Sequence, residues 1–458
     1  MRPSMFEFDP DFTERVLTYC RNRLALQPVP LDFGSLGVHP EEVLPDLITS
    51  SGRSPHEVLD LFESQLAELV ISTDSPRFLA FIPNAPTKDA LLFDMVVACS
   101  GLNGTSWLES AGAVLAENQV IKFLASRAGM PEGSGGVFVS GGTIANLSAL
   151  TVARDFGLRR HHVEGRSAVL VSAEAHSSVA SALHILGMDA VVIEGSDHRL
   201  CREDVERTFR SDPRARNIVA IVATAGTTNA GIIEDLEGLG LFAREREIWF
   251  HVDGAYGGAG ILSERLAPRL TGIRHADSFV VDPHKWLFAP LDCAGLIFRN
   301  PQLARAVHTQ KAGYLDALHL EDGPLEWNPS DFAIHLSRRP RGLALWFSLV
   351  TNGTDAYAAA IDRGVDLATY AAQKISHSKS LRLIREPELT NVLFEREGWE
   401  EKDYRRWSHE LLREQIAFVA PSTWKGRACG RFSFLHPQLS NSEVSRIIRH
   451  LEKFDSSV

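Results

Sequence analysis

Lysine is scarce in the middle of this chain: between Phe123 and Gln310 the only one is Lys285. It sits in Val281-Asp282-Pro283-His284-Lys285-Trp286, at the end of an apolar run. A lysine desolvated by apolar neighbours loses basicity and can act as an amine nucleophile toward an aldehyde. A structural lysine would more usually lie on a solvated helix face, where this region uses arginine. Three other apolar runs end in polar or glycine-rich residues. Ser140-Gly141-Gly142-Thr143 leads into a helix-like stretch, and its free N–H groups suit an anion such as phosphate; a tight strand–helix turn reads equally well. Ala175-His176-Ser177-Ser178 offers an imidazole that either caps a helix or stacks on a flat ring. His251-Val252-Asp253-Gly254-Ala255 follows Ile248-Trp249-Phe250, so Asp253 is a carboxylate on a buried strand and needs a partner. That partner is a protonated ring nitrogen, a helix N-terminus or a Mg²⁺ ion.

These residues must be held by elements that bring the ends of different strands together. Runs at Val137–Ser140, Ala168–Ser172, Ala190–Ile193, Ile218–Thr224, Ile248–Val252, Ser278–Asp282 and Gly295–Phe298 read as strands. Ala145–Phe156 and Ser178–Leu186 read as helices between them. Alternation of this kind predicts an α/β layered domain with a largely parallel sheet, and such sheets bind ligands at the carboxyl ends of their strands. Ile218–Ala223 is apolar on both faces, as a covered strand should be. A helix is expected near Gly342–Leu349, with a smaller α/β domain after Gly353. The first 75 residues read as helical. There Ser54-Pro55-His56-Glu57 has the form of a capping box, and Val58, Phe62, Leu66 and Leu69 make one apolar face that needs the main body or a second subunit.

An anion cradle, a stacking imidazole, a buried carboxylate and a lone amine are what pyridoxal 5′-phosphate (PLP) requires. With them on the page, the chain resembles the group II PLP-dependent amino-acid decarboxylases, which include aromatic-L-amino-acid, glutamate and diaminobutyrate decarboxylases. The resemblance runs from about Phe78 to Pro437. It rests on Phe81-Ile82-Pro83-Asn84, Ser140 to Asn146, Ala175 to Ser178, Gly226-Thr227-Thr228, His251 to Tyr256, Asp282 to Trp286, and Leu336-Ser337-Arg338-Arg339. It implies PLP fold type I with a mostly parallel seven-stranded sheet, and a homodimer with shared active sites. The implied division is a helical dimerisation segment over 1–75, a large PLP-binding domain over 76–350 and a small α/β domain over 351–458. It further implies that Lys285 forms the Schiff base, that His176 stacks on the ring and that Asp253 pairs with the ring nitrogen. Ala255 would lie against the ring and Thr228 near its 3-oxygen. Gly141, Gly142, Thr143, Asp282 and His284 would be on the phosphate side, and Phe81, Asn84 and Asn103 on the substrate side. The implied reaction is loss of CO₂ from an L-amino acid to leave its amine.

Three departures from the family pattern stand out. The stretch Gly323 to Ala333 lacks the tyrosine that aromatic decarboxylases carry before the Arg-Arg pair; the nearest preceding one is Tyr314. Relatives without it divert the reaction to O₂ and release an aldehyde. Asn103 and Thr105 stand where apolar side chains are usual, which suits a polar or smaller substrate. Asp282 replaces an asparagine and would repel phosphate unless His284 is protonated or the carboxylate faces the backbone.

Composition fits an enzyme of this size. The 458 residues are 44% hydrophobic and 23% charged, so a large core is available, and a net charge of −11 disfavours nucleic acid or anionic membrane as partners. Five scattered cysteines without a C-x-x-C pair argue against a disulfide framework or a metal site and for a reducing cytoplasm. Glu7 precedes any apolar run, so no signal peptide is expected, and no run is long enough to span a membrane. The absence of G-x-G-x-x-G weighs against a nucleotide-binding oxidoreductase. Lys285 and Asp253, unneeded for packing, weigh against an inert scaffold.

Overall fold

The computed structural model describes residues 5–32, 34, 47–318 and 327–455. Its centre is a seven-stranded sheet formed by β1 (Gly135–Val139), β2 (Ala168–Ser172), β3 (Asp189–Ile193), β4 (Ile218–Thr224), β5 (Trp249–Asp253), β6 (Ser278–Val281) and β7 (Ala294–Phe298), in the order β1-β7-β6-β5-β4-β2-β3. β7 runs antiparallel to β1 and β6, while the pairs from β6 through β5, β4 and β2 to β3 are parallel. The α/β fold expected from the alternation is therefore present. All seven residues of β4 are buried, because helices cover both faces. Parallel pairing sends β2, β4, β5 and β6 toward one edge, where their carboxyl ends open onto a common cleft.

A second sheet is antiparallel, with strands β8 (Leu381–Leu383), β9 (Asn391–Arg396), β10 (Pro421–Trp424) and β11 (Arg427–Ser433) in the order β10-β11-β9-β8. Its core packs Phe394, Phe432 and Trp407 with Leu411, Ile447 and Leu451 from the helices Glu401–Arg413 and Asn441–Lys453. The helix expected over Gly342–Leu349 is much longer. It spans Leu343–Ser376 and breaks at Gly353, whose φ of 75° only glycine adopts cheaply. Its first part packs on the large sheet's layer and its second part on the small sheet.

The N-terminal expectation holds only in part. Helices cover Pro10–Ala25 and Pro55–Leu61, followed by a π-turn at Phe62–Leu66. Pro28 and Pro30 prevent continuation of the first helix. The capping box does not form: Ser54 makes no side-chain cap bond. Val58 and Phe62 stay 47% and 41% exposed while Leu66 and Leu69 are half-buried, so the described residues cover the expected apolar face only in part. No helix among the described residues is long and apolar enough to cross a membrane.

Candidate active site

The ends of five strands, β1, β2, β4, β5 and β6, meet in a cleft of about 270 Å³ lined by Gly141, Gly142, Thr143, His176, Thr228, Asp253, Ala255, Asp282, His284 and Lys285. Asp282 caps a single helical turn, Pro283–Trp286, that follows β6 and carries His284 and Lys285. Lys285 Nζ lies 2.9 Å from Asp282 Oδ2. Burial pulls the Lys285 pKa down, but the charge and hydrogen bond of Asp282, with the charge of Asp253, outweigh it, and the net shift is upward. This corrects the expectation of an amine with lowered basicity: the carboxylate three residues earlier holds it as ammonium. Asp282 Oδ2 also accepts from the Gly142 N–H at 3.2 Å. His284 Nε2 is farther away, at 3.6 Å, and burial lowers its pKa despite the charge of Asp282. Lys285 therefore neutralises Asp282, and the Gly142 backbone supports it.

Asp253, the last residue of β5, accepts from Asn146 Nδ2 at 2.9 Å and from its neighbour's backbone, Ala255 N–H, at 3.1 Å. His176 caps the helix Ser177–Leu186, taking the Ser178 N–H on Nδ1 at 3.2 Å. Its capping role and its place in the cleft coexist. Asn146 lies one turn after Gly142 on the helix Gly142–Arg160. It was quoted with its motif but given no role. The signal for it was its helical spacing, i+4 from a cradle glycine.

The substrate-side residues fall at the margins. Asn84 Nδ2 donates to the carbonyls of His284 and, at 2.7 Å, of Ala289, so this amide pins the Lys285 turn. Phe81 is 63% exposed with φ of 53°. Asn103 lies outside the cleft, where it donates to Glu109 at 2.5 Å and accepts from Thr105 Oγ1 at 2.6 Å. Thr228 is exposed at the cleft edge. Arg431, buried on β11, donates to the carbonyls of Thr228 (2.5 Å), Asn229 (3.0 Å) and Phe81 (2.8 Å). Burial lowers its pKa to about 10. No local pattern marks it, since its targets are about 200 and 350 residues away in the chain. Within the Arg-Arg pair the two side chains differ. Arg338 is buried and grips Glu117 with bonds of 2.8 and 2.7 Å, whereas Arg339 pairs with Asp94 at the surface. Gly323 to Glu326 and the Tyr314 side chain lie outside the described residues.

The cleft suits PLP. A Cβ on Gly142 would come within 3.0 Å of Asp282 Oδ2 and 3.2 Å of the Ala255 Cβ, so the missing side chain keeps the cradle open. Asp282, one of the lining residues, keeps its Oδ1 buried without a hydrogen-bond partner. Backbone donors, a buried carboxylate and an amine are all present. Residues 40–397 match the model of the pyridoxal-dependent decarboxylase conserved domain, and the chain belongs to that family of PLP-dependent carboxy-lyases. PLP is its cofactor. The chain is 30% identical to an aromatic-L-amino-acid decarboxylase of Bacillus atrophaeus, over 91% of this chain and 88% of that one. It is 31% identical to an L-2,4-diaminobutyrate decarboxylase of Rhizobium meliloti (strain 1021), over 81% and 76%. The fold matches the crystal structure of Rhodiola rosea 4-hydroxyphenylacetaldehyde synthase with a TM-score of 0.86 at 21% identity, covering 97% of each chain.

Proposed function

We propose that this enzyme removes the carboxylate of an L-amino acid as CO₂ and releases the amine, with Lys285 as the residue that links the cofactor. The observation that carries this reading is a lone lysine inside the cleft, 2.9 Å from Asp282 and on the turn that faces Asp253. Bound PLP supplies the electron sink for the pair left on the substrate's Cα. The chain's own residues supply the rest. Gly141, Gly142, Thr143 and His284 receive the phosphate, with the His284 proton on Nε2 because Nδ1 accepts the Cys293 N–H at 3.0 Å. Asp253 holds a proton on the ring nitrogen, each pKa unit of that pairing corresponding to about 1.4 kcal/mol. His176 and Ala255 flank the ring, and Thr228 meets its 3-oxygen. Phe81 and Asn84 belong to the substrate side. Support for this is the shared Arg431 that ties Phe81 to Thr228, and the Asn84 bond to the His284 carbonyl.

A second reading is oxidative: amino acid, O₂ and water give aldehyde, CO₂, ammonia and hydrogen peroxide. The missing tyrosine between Gly323 and Ala333 favours it, as does the likeness to an aldehyde synthase. An amino-acid panel that includes aromatic and 2,4-diamino acids, assayed together for CO₂, amine and peroxide, separates the two. Amine equal to CO₂ supports the first reading, and peroxide equal to CO₂ replaces it with the second. Borohydride reduction followed by peptide mass spectrometry should find the pyridoxyl group on Lys285, and Lys285→Ala should abolish it.

The enzyme acts as a homodimer with active sites at the interface. The uncovered Val58 and Phe62, with Leu108 and Leu115 at 61% and 58% exposure, support this, because such apolar surface marks an interface. Five unpaired thiols support a cytoplasmic location.

A further inference from the structure

Asp253 and His176 are joined through two side chains of the cleft wall, Asn146 and Ser178, and the hydrogen-bond direction that runs from Asp253 through Asn146 is forced. A carboxylate only accepts, so Asn146 must turn its Nδ2 to Asp253 Oδ2, at 2.9 Å. The second Nδ2 proton goes to Ser178 Oγ at 3.0 Å. Asn146 Oδ1 then faces His251 Nε2 at 2.9 Å and can only accept, which places a proton on that nitrogen. His251 Nδ1, 2.7 Å from Ser278 Oγ, is left to accept the serine proton. Ser278 in turn accepts from Trp249 Nε1, a pure donor, at 2.8 Å. On the other branch Ser178 Oγ, which takes the Asn146 proton, lies 2.8 Å from His176 Nδ1. That nitrogen accepts the Ser178 N–H, so the His176 proton sits on Nε2. Trp249, His251 and Ser278 are at most 1% exposed, Asn146 is 1% exposed and Ser178 4%. None of their polar atoms is left without a partner.

The geometry is economical in sequence. Trp249, His251 and Asp253 alternate along β5 and so share one face of the sheet, and His251 is register-paired with Ser278 on β6. The Asp253 carboxylate, a pure acceptor, sets the direction through Asn146 to His251, and Trp249 Nε1, a pure donor, occupies one acceptor site of Ser278 at the far end. We infer that Trp249, Ser278, His251 and Asn146 form a relay of positioning residues that holds His251 as the Nε2–H tautomer and, through Asn146, aims the Asp253 carboxylate at the cofactor ring. This rests on the PLP reading for its consequence, although the tautomer itself exists without cofactor.

The relay is tested on two levels. In cofactor-free protein labelled with ¹⁵N-histidine, with His251 assigned by loss of its signals in His251→Gln, Nδ1 should be unprotonated and Nε2 protonated. Asn146→Leu, which removes the acceptor facing Nε2, and Ser278→Ala, which removes the donor facing Nδ1, should each turn this into a tautomer mixture. In the loaded enzyme, His251→Leu should lower kcat about 10-fold or more and weaken PLP binding, with KM nearly unchanged, as outer-shell partners do in other sites. If His251→Leu fails to fold, Ser278→Ala removes only one hydroxyl and should give the same changes in milder form. Unaltered tautomer signals and kcat in Asn146→Leu and Ser278→Ala would overturn the relay. Absence of a pyridoxyl group on Lys285 would instead overturn the PLP reading and leave the tautomer result standing.

Discussion

Glu117 and Arg338 make the most demanding stability test. The Arg338 side chain is 0% exposed and that of Glu117 4%. Glu117 Oε1 also accepts the Gly342 N–H at 2.8 Å, and Arg338 donates to the Gly104 carbonyl at 2.8 Å. In Glu117→Gln the acceptor for Gly342 remains, but the guanidinium loses its counter-charge while still buried. Removing one partner from a buried pair costs about 3–5 kcal/mol. At about 2.1 cal/mol/K per residue, 458 residues unfolding as one cooperative unit carry an entropy of about 1 kcal/mol/K. Glu117→Gln should therefore lower Tm by about 3–5 °C in differential scanning calorimetry. Arg338→Met should cost a similar amount. The double variant should recover part of the loss, because neither charge is then stranded, but not all of it, because the Gly104 carbonyl has lost its donor. Single losses below about 1 kcal/mol that simply add in the double variant would refute the account of a desolvated, mutually dependent pair.

Acid should destabilise the cofactor-free protein. Burial lowers His251 to about 4 from an ordinary 6.5, so the unfolded chain binds its proton between those values while the folded chain does not. Stability falls as pH drops through that window, by about 3 kcal/mol for this histidine at about 1.4 kcal/mol per unit. His335 and His436, also lowered to about 4, act in the same direction. Glu234, pushed up to about 7 by burial, acts oppositely between pH 7 and 4.5. Three histidines outweigh one glutamate, so the urea midpoint should fall between pH 6.5 and 4; a rise would contradict the assignments. Asp282→Asn removes the charge that holds up the Lys285 pKa, so the pH at which PLP becomes trappable on Lys285 by borohydride should move down. An unchanged or higher midpoint would show that Asp282 does not control the amine.

The strands were legible because burial on both faces leaves long apolar runs. Ala168–Ser172 and Ile218–Thr224 match the structure to the residue, and the others are displaced by a residue or two at their ends. The site was legible because parallel strands deliver their carboxyl ends to one edge, so residues quoted from four separate stretches line one cleft. The charge state of Lys285 was readable too, since Asp282 precedes it by three residues, one turn away; apolar neighbours drew attention from it. Other features required the fold. Arg338 meets Glu117 across 221 residues, and Arg431 reaches Phe81 across 350. No local propensity encodes such partners. At the N-terminus the capping pattern is present but the Ser54 hydroxyl does not engage, and Val58 and Phe62 of the apolar face stay exposed.

Arg431 has a consequence for how this enzyme can be changed. One guanidinium from the smaller sheet clasps the main chain on both lips of the cleft, at Phe81 and at Thr228. On the proposed assignment of Phe81 to the substrate and Thr228 to the cofactor, mutations beneath it retune which amino acid enters only by disturbing the cofactor's seat as well. In a selection for new specificity, gains from strand β11 should arrive with altered PLP retention, whereas gains on the exposed Phe81 side chain should come free of that coupling.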